Sequence, residues 1–335
     1  MNAVFALPSL AAALALVAVA VPSANAQSTS SSPAQAYPSR PVKMLVGFPP
    51  GGGTDILARL LSKKLSDSWG QPVVVENRAG ASATIASDLV AKAPADGYTI
   101  SMGQLTPNAI APALMAKMPY DAKRDLAPVV LVGSSPNLLV TQPGLGVVSI
   151  PELVALAKSR PGKLTYASSG PGSLQHIAAE LFRTTAGVEM VHVPYKGSSQ
   201  ALVDLLSGQV DMNFDSIPAT IQHLKAGKLR PVAVTAAKRA SGLPELPAIA
   251  ESAGFRDYDL TTWWGLFTPA GTPEAVVARI NRDTNAALRD PELRARFAEL
   301  SVEPGGGSPQ EFAAYVAREM AKYEQLVKTL NIKAE

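Results

Sequence analysis

Two rhythms of apolar residues alternate along this chain. Short β-rich runs alternate with longer stretches in which apolar positions return every three or four residues. The short runs predict strands over residues 42–48, 98–102, 129–132, 138–141, 163–167, 210–214, 232–235 and 264–267. The longer stretches predict helices, and several carry start signals. Thr54 is placed to cap a helix whose apolar face is Leu57, Leu60, Leu61 and Leu65. Ser149 and Glu152 form a capping box. Thr272 and Asp290 each precede a proline suited to the first helical position. Ser308, Pro309 and Glu311 open a long last helix with Phe312, Val316, Tyr323 and Val327 on one side. This alternation predicts an α/β protein with mostly parallel strands. No internal repeat is visible.

The first residues follow a different pattern. Residues 10–21 are almost wholly Ala, Leu and Val, and Ala24-Asn25-Ala26 follows as a small-residue cleavage site. This predicts a secretory signal peptide over 1–26, although no Lys or Arg precedes the apolar run. Ala34-Gln35-Ala36 is a second possible cut. The Ser-rich residues 27–36 read as a disordered spacer. No later segment is long and apolar enough to span a bilayer. A soluble, exported, periplasmic protein is expected.

Composition narrows the classes. The 335 residues suffice for two domains, and 47% hydrophobic residues can fill two cores. There is no cysteine, hence no disulfide and no thiol nucleophile. The net charge is +3 with Lys and Arg dispersed, which argues against nucleic acid and helps attract an anion. Neither a G-x-S-x-G elbow nor metal-ligand spacing among His176, His192 and His223 is present, so no catalytic or metal site and no cofactor is expected. The histidines read as surface or packing residues, and Trp263 and Trp264 as core or hinge.

The candidate chemistry lies in three strand–loop–helix junctions. After Phe48 come Pro49, Pro50, Gly51, Gly52, Gly53 and Thr54, where free N–H groups at a helix start make an anion site that glycine lets a ligand approach. The loop is neither a P-loop, since Thr54-Asp55 follows Gly53, nor a G-x-G-x-x-G fingerprint. Asp55 would repel phosphate, so a carboxylate fits better; the alternative is a plain tight turn. A second junction runs from Ser168 to Ser173, and a third is Lys196-Gly197-Ser198-Ser199. On opposite domains, such loops would face each other across a cleft.

Seven segments carry a family resemblance: GFPPGGGTD, VVVENRAG, APADGYT, LTYASSGPGS, VPYKGSSQALVDLLSGQVDMNFD, GKLRPVAVT and WWGLFTPAGTP. In this order they resemble the Bug receptors, the extracytoplasmic solute-binding proteins of tripartite tricarboxylate transporters. The resemblance implies a type II periplasmic-binding-protein fold: two α/β domains with an interdomain ligand cleft, joined by crossing strands. It implies a carboxylate ligand held largely by main-chain N–H groups, hydroxyls and water. By this resemblance, ligand contacts fall on Phe48, Gly51, Gly52, Gly53, Thr54, Ser168, Ser169, Gly172 and Ser173. Tyr195 and Asp215 border the cleft, and Asp215 is equally placed to cap the next helix. Gln104, Thr106 and Ser135 follow strand ends and are further candidates. The expected domains are 37–136 with 258–335, and 137–257. The expected protein is a non-enzymatic monomer that captures a small carboxylate (a di- or tricarboxylate, an acidic amino acid or an aromatic acid) and passes it to membrane transporter subunits. An orphan sensor for a signalling partner and an exported α/β hydrolase are the alternatives.

Overall fold

The computed structural model describes residues 37–332, with positions 1, 3 and 5. The signal peptide and spacer read at 1–26 and 27–36 lie outside the described residues, those three positions apart.

Strand β1 (Val42–Val46) is buried at every position but Lys43. It pairs in parallel with β2 (Val73–Asn77) and β3 (Thr99–Gln104). Parallel neighbours need crossovers, supplied by α1 (Gly53–Trp69) and α2 (Thr84–Ala91). Helix α1 buries Leu57, Leu61 and Leu65 against the sheet, each worth about 1.5–3 kcal/mol. It ends at Gly70, whose φ of 64° is the left-handed stop that glycine allows. A π-helical turn (Thr106–Ile110) and the short α3 (Ala111–Leu114) follow β3.

The chain then crosses to a second sheet on one long strand, β4 (Leu126–Thr141). The sequence predicted two strands here, over 129–132 and 138–141, with Pro136 between them. Pro136 is the last residue paired with β9 (Thr261–Pro269), and from Asn137 onward the partners are β7 (Met212–Ser216) and β8 (Arg230–Val234). The missing N–H therefore falls where the strand changes partners, and the strand continues.

In the second sheet β5 (Thr165–Ser168) pairs in parallel with β6 (Val191–Pro194) and β7. Helices α4 (Ile150–Ser159), α5 (Leu174–Ala186), α6 (Ser198–Leu206) and α7 (Ile217–Lys225) flank it. Strand β9 returns the chain between β3 and β4. Then come α8 (Glu274–Arg289), α9 (Pro291–Glu299), β10 (Glu303–Gly306) on β4, and α10 (Pro309–Thr329). The result is a mixed α/β molecule of two lobes, a type II periplasmic-binding-protein fold. Among the described residues four strand pairs are parallel and five antiparallel. The mostly parallel sheet expected from the alternation is thus corrected, because β4 pairs antiparallel with β7, β8, β9 and β10, and β9 with β3.

Local signals fared unevenly. Asp290 caps α9 through the Leu293 N–H at 3.0 Å, and Ser308 with Glu311 forms a reciprocal box on α10. Ser149 accepts from Glu152 N–H at 3.4 Å, but the Glu152 carboxylate returns to Val148. Thr272 does not cap α8: extended Pro273 holds that position, and the Thr272 hydroxyl donates to the Pro269 carbonyl at 2.8 Å. Edge strands β2 and β6, and the glycine-containing β10, were not foreseen; half-exposed positions dilute their apolar pattern.

Candidate functional site

The carboxyl ends of β1, β3, β5 and β7 surround a cavity of about 40 Å³, room for one carboxylate group or a few waters. Four helices point their first residues at it: Gly53 and Thr54 of α1, Leu174 and Gln175 of α5, Ser198 of α6, and Ser216 ahead of α7. The first N–H groups of a helix lack intrahelical acceptors, and each helix adds a partial positive charge there. No Lys or Arg lines the cavity, so its attraction for an anion comes from these helix ends.

The first wall is Phe48, Gly52, Gly53, Thr54, Gln104 and Thr106. Thr54 lies inside α1, whose cap position is Gly52, so the expected cap is corrected; its hydroxyl instead accepts from the Trp264 indole N–H at 3.0 Å. Gly51 does not line the cavity. Its φ of 83° makes the turn, and its N–H donates to Asp55 at 3.0 Å. Asp55 also takes bonds from Arg59 at 2.9 Å and Asn77 at 2.8 Å. Burial alone would raise the Asp55 carboxyl, but these three donors outweigh it and hold it below the ordinary range. Asp55 is thus a neutralised strut outside the cavity wall.

Ser169 and Asp215 come from the opposite lobe. Asp215 is 1% exposed and accepts from Ser198 Oγ, from Asn213 Nδ2 at 3.1 Å and from Ser216 N–H at 2.7 Å. Burial pushes its carboxyl up against the pull of these bonds. A neutral Asp215 can donate to an anion; an ionised one repels it. Sequence reasoning did not propose Asn137, Leu174, Gln175, Ser198, Ser216, Thr262 or Trp264 as contacts, yet they complete the cavity. Ser198 sat in the third flagged loop, and Thr262 and Trp264 share one face of β9 by two-residue spacing.

Gly172 and Tyr195 lie elsewhere, in an outer chamber of about 300 Å³ that meets the cavity at Ser169. Ser168 and Ser173 line neither space. Ser168 Oγ bonds His192 Nε2 at 2.7 Å, and Ser173 Oγ caps α5 through the His176 N–H at 3.3 Å. Ser135, on β4, donates to the Pro136 carbonyl at 3.1 Å and borders a separate groove with Lys238 and Arg239. The imidazoles of His176 and His192 stack at 4.2 Å behind the second loop, where His176 Nδ1 accepts the Gly172 N–H at 3.1 Å. Trp263 is fully buried against Phe312 and Tyr315, in the core as expected. Among the described residues no cluster of side chains suits a metal, and no helix is long and apolar enough to cross a membrane.

Two lobes closing on a polar cavity define a solute-binding protein. The chain belongs to the family described as "Tripartite tricarboxylate transporter family receptor", which matches residues 57–332. It is 41% identical to the R. palustris protein Rpa4515, solved with adipate, at a TM-score of 0.86 over 89% of this chain and 99% of that one. It is 32% identical to the periplasmic binding protein BugD at a TM-score of 0.85, over 89% and 100%. It is also 32% identical to MatC of Rhodopseudomonas palustris with bound malate, at 0.82 over 87% and 100%. The resemblance to the Bug receptors therefore holds, and the family and these neighbours are periplasmic solute-binding proteins.

Proposed function

We propose that this protein captures a small carboxylate in the cavity between its lobes and delivers it, without chemical turnover, to the membrane subunits of a tripartite tricarboxylate transporter. The four convergent helix N-termini carry this reading: they offer N–H donors and positive potential where no basic side chain is present. The bound adipate and malate of two relatives agree with it. The lobes are residues 37–136 with 258–335, and 137–257, and 1–26 directs export. The ligand contacts are Gly52, Gly53, Thr54, Gln104 and Thr106 from one lobe, and Ser169 and Asp215 from the other. Asp215 borders the carboxylate with its own oxygens held by Ser198, Asn213 and Ser216.

The test is calorimetry with organic acids and their methyl esters. Hydrogen bonds to a charged group are worth about 1.5–3 kcal/mol each, so the ester of a bound acid should bind at least about tenfold more weakly. Equal binding of ester and acid would refute an anion site.

A further inference from the structure

The outer chamber is several times larger than the cavity it adjoins, about 300 Å³ against about 40 Å³, and its walls have a different chemistry. Ala111, Leu114 and Met115 form one side, with Ala81 beside them; Pro171 and Tyr195 form the other. Two of the hydroxyls at its edge are engaged within the protein, and a third, Ser169, lies where the chamber adjoins the cavity. Ser82 Oγ donates to the Pro171 carbonyl at 2.7 Å, and Tyr195 OH to Asp204 at 2.6 Å. The one cation in the wall, Lys196, is exposed. Against the apolar walls, away from Ser169 and Lys196, a hydroxyl or amine would lose water without gaining a partner, whereas a CH₂ or ring carbon would gain contact.

Resting on the carboxylate reading above, we infer that the ligand is an acid with an apolar body of about five or more carbons: its carboxylate sits in the inner cavity and its body fills the outer chamber. Small hydroxy acids, whose polar groups would lie in that chamber, are poor ligands. Each methylene buried there is worth about fourfold in affinity. The far end reaches the exposed rim near Lys196, where a methyl group, a ring edge or a second carboxylate is compatible.

Calorimetry of the protein with hexanoate, 3-phenylpropionate, adipate and malate tests this. At least one of the first three should bind tenfold or more tightly than malate. Either order of hexanoate and adipate supports the inference, since both fill the chamber; the order shows whether Lys196 meets a second anion. Malate binding as tightly as all three would overturn the inference and leave the carboxylate site standing. Binding of none of the four would overturn both. Met115→Gln, a change of polarity at nearly constant length, should weaken the preferred acid severalfold, with folding checked by circular dichroism. An unchanged affinity in the folded variant would place the body outside the chamber and refute the inference.

Discussion

At the scale of single residues, the glycine run divides its labour. Gly51 makes the turn, while Gly52 and Gly53 face the cavity. A Cβ on Gly52 would meet nothing closer than the Pro49 carbonyl at 3.7 Å, an ordinary contact. A Cβ on Gly53 would lie 2.6 Å from Ser216 Oγ across the cleft. Gly53→Ala should therefore obstruct closure. Overpacking of this kind costs about 1–3 kcal/mol, which predicts ligand binding weaker by about tenfold or more. The unliganded protein, free to stay open, should keep most of its stability. Paired calorimetry and urea unfolding check this, and a variant that binds as well as the parent would show that the loop does not approach Ser216 in the bound state.

At the scale of elements, the loop between β5 and α5 rests on two imidazoles. His176 must keep Nδ1 unprotonated to accept the Gly172 N–H, and burial, reinforced by the neighbouring His192, lowers its pKa to about 4. Glu180 pulls the other way, Arg183 adds to the depression, and the Tyr166 ring stacks on the pair. For a histidine with a depressed folded pKa, the stability is whole above the unfolded value of 6.5 and is lost as pH falls from there towards about 4. Full loss of this contribution amounts to about 3 kcal/mol. Urea unfolding should show the decline across that window. His176→Asn, which retains an acceptor but does not titrate, should flatten it. Parallel profiles for the two proteins would show that His176 is not the titrating group.

At the scale of the whole molecule, the two lobes touch across the cleft. Ser82 bonds Pro171, Leu114 packs over Gly172, and Pro49 fills the space a side chain at Gly197 would need. These contacts join side chains and loops, whereas β4 carries backbone pairing across the junction, with β9 up to Pro136 and with β7 and β8 from Asn137. Asn137 fastens that junction: it donates to the Phe214 carbonyl at 2.7 Å, accepts from Thr262 at 2.7 Å, and its N–H reaches Thr235 at 2.8 Å. Bending at the two strands with the outer contacts released is the motion this arrangement permits, and a bridging ligand stabilises the closed form. The radius of gyration should fall when a binding acid is added, with helix and strand content unchanged. Small-angle scattering profiles that coincide with and without saturating acid would exclude such closure.

The strand–loop–helix junctions were legible in the sequence because their signals are local. A glycine run, a hydroxyl and an apolar period of three or four need only neighbours along the chain to show what they form. That let residues 48–54 and 168–173 be singled out, whereas Asp215 came only from the family resemblance. Which of them face the ligand space was decided by tertiary structure. Ser168 and Ser173 point into their own loop and helix cap, Ser135 borders another groove, and Gly51 spends its N–H on Asp55. Asn137, Gln175, Ser198 and Thr262 reach the cavity because strands far apart in the chain end side by side. The continuity of β4 through Pro136 and the stacking of His176 on His192 also depend on partners brought together by folding. Periodicity along a chain encodes which face of an element is apolar; it does not encode which other element that face, or a neighbouring polar group, will meet.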